Sequence, residues 1–408
     1  MTSVSHTRDL LVIGGGPGGS AAAIRAARAG AKVTLFEKGA PGRDKICGDG
    51  LTPRAIRALL ELDIDLTGIH RTRGLRMKAF GNARELDWPG GAFPDWGAVW
   101  PRRRLDTHLV EVAEEAGAEV LWSHVATPIM DGNRVVGVEA NGGRWHAPMT
   151  IVATGAPNAV TKGLGADRNP DEPFGLAIRT YAATPRDTDA FLEADLTLRD
   201  DNGAPIPGYG WMFPVGDGTV NIGVGALSTM KGFKKLNLNK LQDIYRASVA
   251  EEWELGPDLE RPRAWRLPMS VTKTHGPGWV VVGDAAGLVN PMNGEGIDYG
   301  LESGILAADL ALDDPLYAPA RYARGVRARY EPFMDMGRRF SFLVGHPWIL
   351  RTGLRFAVST DAISKITLEV MANLVEADSP GASGWTYRTA GRLFDVADPL
   401  LRATRAER

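Results

Sequence analysis

Cysteine is almost missing from this chain: one residue, Cys47, in 408. A lone thiol excludes an internal disulfide and points to a reducing compartment. An excess of one charge is missing too. The 47 Lys and Arg face 49 Asp and Glu, a formal net charge of −2, so no global basic field recommends nucleic acid as a partner. No hydrophobic run reaches the roughly 18 residues of a membrane span; FSFLVGHPWIL (Phe340 to Leu350) and ITLEVMANLV (Ile366 to Val375) both fall short. The early run LLVIGGG is short and ends in glycines, unlike a secretory signal. No repeat or low-complexity tract is present, and no metal site is expected. These absences lead to the expectation of a cytoplasmic protein.

What remains is ordinary in bulk, 44% hydrophobic and 24% charged, and long enough for more than one packed unit. The motifs are less ordinary. DLLVIGGGPGGSAAAIRAARAGAKVTLFEKG reads as strand, glycine turn, alanine-rich helix and second strand ending in Glu37. Gly14, Gly16 and Gly19 form GxGxxG in the context that binds a dinucleotide, with the pyrophosphate at the helix N-terminus and an acid about 20 residues on for a ribose hydroxyl. The motif leaves FAD and NAD open. In APGRDKICGDGLTPRAI, Arg43 and Lys45 can face an anion, Cys47 is either a small buried hydrophobe or ligand-facing, and Thr52-Pro53 reads as the N-cap and first position of a helix. AEVLWSHV, RVVGVEA and MTIVATGAPN read as strands completing the first sheet.

PIPGYGWMFPVGDGTVNIGVGAL reads as a hairpin turning at Gly216-Asp217-Gly218. That register sets Tyr209 opposite Gly225, Trp211 opposite Gly223 and Phe213 opposite Asn221. Aromatics over glycines make either plain packing or the wall of an apolar slot.

WVVVGDAAGLVNPMNGEGIDYGLESG, together with GxGxxG, resembles the FAD-binding fold of the aromatic hydroxylase and glutathione reductase superfamily. Arg102, Leu105, Asp106 and Leu109 match its R-x-x-L-D-x-x-L pattern, while Thr154 departs from the usual Asp-Gly there. RDKICGDGLTPRAI, PGYGWMFP and GDAAGLVNPMNGEGIDYG narrow the likeness. From Asp9 to about Asn373 the chain resembles the geranylgeranyl reductase family, flavoproteins that saturate isoprenoid double bonds, and within it the actinobacterial branch that reduces one isoprene unit of menaquinone.

The resemblance implies an α/β fold: a Rossmann-like FAD-binding domain (residues 1–70, 100–165 and 270–315), an antiparallel β-sheet substrate domain (71–99 and 166–269) and a C-terminal helical region (316–408). It places Gly14, Gly16, Pro17, Gly19, Glu37, Lys38, Cys47, Gly48, Arg102, Gly155, Asp284, Gly294, Gly296 and Ile297 at the cofactor. Tyr209, Trp211, Phe213 and Gly223 fall at the substrate. An isolated alkene is not electrophilic, so hydride transfer to it needs a positioned acid. Cys47 and Tyr209 are the candidates, with the Trp211 and Phe213 faces stabilising developing positive charge. With no second GxGxxG, electrons come from an external donor, NAD(P)H or a redox protein. The lipid substrate, an isoprenoid quinone or other prenyl lipid, implies contact with the inner face of the cell membrane, the two apolar stretches being contact helices, tunnel helices or plain core. The alternatives are a geranylgeranyl-lipid or diphosphate reductase, a flavin monooxygenase or halogenase, and a flavin-binding protein without catalysis. A halogenase would carry a second tryptophan where this chain has Tyr209.

Overall fold

The computed structural model describes residues 5–375, Pro157 apart, and Thr389. Strands Leu10–Ile13 and Met149–Val152 are buried at every residue, as strands covered on both faces must be. They are the centre of a six-stranded sheet ordered His275–Gly276, Trp279–Val281, Met149–Val152, Leu10–Ile13, Val33–Glu37, Glu119–Trp122. All neighbours are parallel except the first pair. The chain runs outward from Leu10–Ile13 through Val33–Glu37, then returns to Met149–Val152 on the other side. That reversal opens a crevice at the carboxyl ends of the two strands, where doubly wound sheets bind ligands.

The helices are α1 (Pro17–Arg28), α2 (Pro53–Glu61), α3 (Arg102–Glu115), α4 (Ala159–Gly163), α5 (Leu238–Val249), α6 (Ile297–Asp313), α7 (Ala318–Arg329), α8 (Glu331–Val344), α9 (Pro347–Ala357) and α10 (Asp361–Met371). Small residues let α6 lie directly on α1. A Cβ on Gly304 would stand 2.1 Å from the Gly18 carbonyl oxygen, so any side chain there would push the helices apart.

A seven-stranded sheet faces the crevice, ordered Arg263–Pro268, Phe174–Ala183, Thr219–Leu227, Gly208–Pro214, Phe191–Asp195, Gly74–Ala79, Asn82–Asp87. It is antiparallel except where Phe191–Asp195 meets Gly74–Ala79. The hairpin has the expected register: Tyr209 pairs with Gly225, Trp211 with Gly223 and Phe213 with Asn221. Ile178, Met212, Ile222 and Val224 fill the opposite face, over Leu241 and Tyr245 of α5 and the nearby Trp253.

Two expectations are corrected, for Arg134–Ala140 and for the Thr52 cap, and one apolar stretch proves divided. Arg134–Ala140 does not complete the parallel sheet. It pairs with Ala126–Asp131 and Gly143–His146, and Ser5–Thr7 adds to Gly143–His146. The tight turn at Asn141 and Gly142, both at positive φ, closes an antiparallel hairpin locally, ahead of the longer crossover that parallel pairing requires. The stretch Phe340 to Leu350 is two helix ends, since α8 stops at Val344 and Pro347 opens α9. Thr52 does precede α2, but its side chain makes no cap bond; the hydroxyl donates instead to Glu295 at 2.6 Å.

Candidate active site

The glycine turn is built by close backbone approach. Gly14 follows the last residue of its strand with φ +109°, and a Cβ on Gly19 would lie 1.8 Å from the Gly14 carbonyl oxygen. Gly16 caps α1 and Pro17 takes its first position, leaving the positive end of the helix aimed into the crevice. Glu37 does more than offer a carboxylate to a ribose. It accepts from the Gly15 amide at 2.8 Å and the Gly39 amide at 2.7 Å, and Arg43 meets it at 3.0 Å. The acid therefore ties together the two loops that follow adjacent strands.

Opposite the turn, Gly283 (φ +57°) and Gly294 (φ +80°) bend the chain past Asp284 toward the start of α6. A Cβ on Gly296 would stand 2.8 Å from the Asp284 carboxylate and would have to displace it. Lys45 Nζ lies 3.7 Å from that carboxylate and 5.0 Å above the Trp265 ring. Burial pushes the Lys45 ammonium below its usual range, and Asp284 opposes the shift.

Between these loops sits Arg102, buried and gripping Asp106 through two bonds of 2.6 and 2.8 Å. Its amide donates to Asp49 at 3.1 Å. Asp49, fully buried with φ 65°, also accepts from Tyr181 and, at 2.8 Å, from Asn221. Burial raises its carboxyl above the usual range, against these donors. Asn221 spends its amide on Asp49 and, at 2.9 Å, the Cys47 carbonyl, while its oxygen accepts from Trp211 Nε1 at 2.9 Å. Arg179 completes the clamp, donating to the Cys47 carbonyl at 3.3 Å and to Asp44 at 2.6 Å. The loop carrying Lys45, Cys47 and Gly48 is thus tied to the seven-stranded sheet by buried polar groups.

Asn221→Leu would leave the buried Trp211 indole without its partner and take one donor each from Asp49 and the Cys47 carbonyl, which keep their others. About 1–3 kcal/mol of stability should be lost, the usual cost of one orphaned group; urea unfolding of wild type and variant measures it.

One cavity of about 1050 Å³ joins all of this, at the upper end of ligand pockets. Gly14, Gly16, Pro17, Glu37, Lys38, Arg102, Thr154 and Gly155 line its end at the glycine turn. Asp284, Gly294, Gly296 and Ile297 line its floor, and Cys47, Gly48, Tyr209, Trp211 and Phe213 its middle. Beyond the aromatics it continues between Phe340 of α8, Leu350 and Leu354 of α9, and Ile366 and Val370 of α10. Gly19 and Gly223 act from beneath instead. Gly19 faces the Gly14 carbonyl, and a Cβ on Gly223 would meet the Trp211 ring at 2.2 Å. The Trp211 ring lies 5.9 Å from Tyr209 and 6.2 Å from Phe213.

Residues 9–162 match the FAD dependent oxidoreductase family. Over 97% of its length the chain is 39% identical to 98% of the menaquinone reductase of Mycobacterium tuberculosis. Over 75% it is 31% identical to 80% of digeranylgeranylglycerophospholipid reductase 1 of Methanopyrus kandleri. The chain belongs to the menaquinone and geranylgeranyl reductase family. It is an FAD-dependent oxidoreductase. The fold matches a crystal structure of a geranylgeranyl bacteriochlorophyll reductase-like protein from Thermoplasma acidophilum, with a TM-score of 0.77 at 24% identity, covering 95% of this chain and all of that one.

The residues fit the cofactor of a geranylgeranyl-type reductase. The Thr154 hydroxyl is buried on the cavity wall without a hydrogen-bond partner, a group that a polar ligand would satisfy. The cradle from Gly14 to Gly18 has no side chain that could fill it ahead of a ligand beyond Pro17. Sequence reasoning missed the clamp of Arg179, Tyr181 and Asp49. The one available signal was that Arg179 and Tyr181 share a strand face with Asn221 and Gly223, their partners in the sheet.

Proposed function

We propose that this protein saturates one carbon–carbon double bond in an isoprenoid chain, the prenyl tail of a menaquinone, with electrons from an external donor. The carrying observation is one continuous cavity, which runs from a glycine cradle past three aromatics into an apolar end between helices. A long hydrocarbon with its reacting bond in mid-chain fits that shape.

In this reading the α1 N-terminus with Gly14, Gly16 and Pro17 holds the pyrophosphate, and Glu37 and Lys38 border the adenosine ribose. Arg102, Gly155 and Asp284 hold the middle of FAD, and Gly294, Gly296 and Ile297 support its ring beside Cys47 and Gly48. Reduced FAD supplies the hydride. Tyr209, Trp211 and Phe213 hold the alkene flat and face developing positive charge with π surface, and Gly223 leaves room for the Trp211 ring. Cys47 Sγ gives the proton to the carbon that the hydride does not take. Two features favour Cys47 over Tyr209 as donor. The Tyr209 hydroxyl is committed to the Asn293 carbonyl, and burial pushes its pKa well up, so it holds its proton tightly.

The lipid reaches the cavity from a bilayer along α9, as a protein peripheral to the inner membrane face. Leu350, Leu354 and Phe356 line the cavity, Trp348 is 71% and Phe356 65% exposed, and Arg351 and Arg355 are exposed alongside. Exposed aromatics and cations on one short helix suit an anionic interface. Among the described residues no helix is long and apolar enough to cross a membrane. A Trp348→Ser/Phe356→Ser protein should keep its flavin and lose most sedimentation with anionic vesicles; unchanged sedimentation would remove α9 from the contact.

The reaction is tested by reducing the bound flavin under nitrogen and adding menaquinone. Return of the oxidised flavin spectrum without oxygen, with the added H₂ found in the prenyl tail and not at the quinone ring, supports alkene reduction. Reoxidation that waits for oxygen and delivers an oxygenated product supports the monooxygenase reading.

A further inference from the structure

Behind the cavity floor, on the side of α6 turned toward α2, lies a group of acids that the proposed reaction does not use. Asp298, in the first turn of α6, is fully buried, and neither of its carboxylate oxygens has a hydrogen bond. Glu295, just before the helix, is part-buried as a residue. Its Oε2, however, is shut away from solvent and unpartnered, while Oε1 accepts from the Thr52 hydroxyl at 2.6 Å. The cations nearby are already shared. Arg54 donates to Glu302 at 2.8 Å and to the Asn373 carbonyl at 3.1 Å, leaving only its Nε, 3.8 Å from Asp298. Arg57 meets Glu302 at 3.3 Å. The other titratable groups facing the pair are Tyr299 of α6, stacked under Arg54, Tyr330 against Tyr299, and Tyr209 from the hairpin.

Three carboxyl groups and two guanidinium groups share this pocket, and a buried carboxylate without donors is costly. The location gives that excess acid a consequence. Gly296, Ile297 and Gly300 line the cavity, so the positive end of α6 points at the cofactor ring. Two ionised carboxylates at that end would cancel its field.

We propose that Glu295 and Asp298 form a proton-holding pair that sets the charge behind the flavin and ties the flavin's reduction to proton uptake. Reduction places two electrons and one proton on FAD and leaves it anionic. The pair then takes a further proton from solvent whenever it has one to take, and returns it when hydride leaves. Burial raises the Glu295 carboxyl to about 7, against the Thr52 donors and Arg54, and burial with Glu295 nearby raises Asp298 well above its usual range. The sign follows. Below about pH 7 the pair is already protonated and takes nothing more. Above it Glu295 is ionised in the oxidised protein, and a new anion on the ring draws a proton to it.

The test is the midpoint potential of the holoenzyme's flavin from about pH 5.5 to 9. For a two-electron couple each proton taken up adds about 30 mV per pH unit. The wild type should follow the one-proton slope below pH 7 and steepen toward twice that above it. Glu295→Gln should hold the one-proton slope throughout. Asp298→Asn, neutral like the protonated acid it replaces, should leave the break in place, because Asp298 holds its proton where Glu295 titrates. A straight one-proton line in wild type, or a Glu295→Gln profile identical to it, overturns the proposal, and the wild-type profile decides alone if both variants lose flavin. The inference rests on FAD binding and not on the alkene, so its failure would leave the anaerobic reoxidation result standing.

Discussion

A Gly19→Ala protein is expected to purify without flavin. The added Cβ would sit 1.8 Å from the Gly14 carbonyl oxygen and 3.1 Å from the Ala153 Cβ. Neither neighbour can swing aside. Gly14 is held by its amide bond to the Phe36 carbonyl at 2.7 Å, and a Cβ on Gly14 itself would stand 2.3 Å from the Ala153 oxygen. Overpacking of this kind costs about 1–3 kcal/mol even where side chains can adjust; here backbone must move. The movement widens the turn and swings the first amides of α1 away from the pyrophosphate, which they must meet at hydrogen-bond distance. Gly163→Ala is the matched control, since nothing lies within 4 Å of a Cβ there. The ratio of flavin to protein absorbance after purification reads both. Full flavin content in Gly19→Ala would contradict the role given to the turn.

Cys47→Ala should keep its flavin and lose turnover by about 10²–10⁴-fold, the usual worth of a positioned acid. The separation of the two properties has a structural cause. Arg179 and Asn221 hold the loop through the Cys47 backbone carbonyl, which alanine retains. What disappears is the thiol on the cavity wall, whose sulfur accepts a long bond of 3.4 Å from the Asp49 amide. Steady-state reduction of menaquinone with an excess electron donor, followed beside flavin content, measures the two separately. Retained turnover would pass the proton to another group.

The hairpin was legible because two local rules determine it: alternation sets which residues share a face, and Gly216 and Gly218, both at positive φ, set where the strands turn. The dinucleotide turn was legible for the same reason, being a local motif whose glycines meet one another. Arg134–Ala140 was misplaced because an apolar strand pattern does not name its partners; the short turns on either side, to Ala126–Asp131 and through Asn141-Gly142 to Gly143–His146, do. The clamp was hidden for a related reason. Arg179 reads as an oddly placed charge in a strand until folding brings Asp44 and Glu260 to it. Asp49 reads as a loop acid until Tyr181 and Asn221 enclose it. Charges that pair across the fold leave no periodicity to read. Glu295 and Asp298 sit inside a motif that was recognised for its glycines, and their burial comes from α2 packing on the far side of α6.

The central claim is that an isoprenoid double bond is the electron acceptor in this cavity. It is tested most directly by mass spectrometry of menaquinone recovered from an anaerobic reaction with the reduced holoenzyme. The account predicts that the lipid gains the mass of H₂, that fragmentation places the gain in the prenyl side chain, and that Cys47→Ala abolishes it. A quinone returned with its side chain unchanged, while the flavin reoxidises only in air, would contradict it.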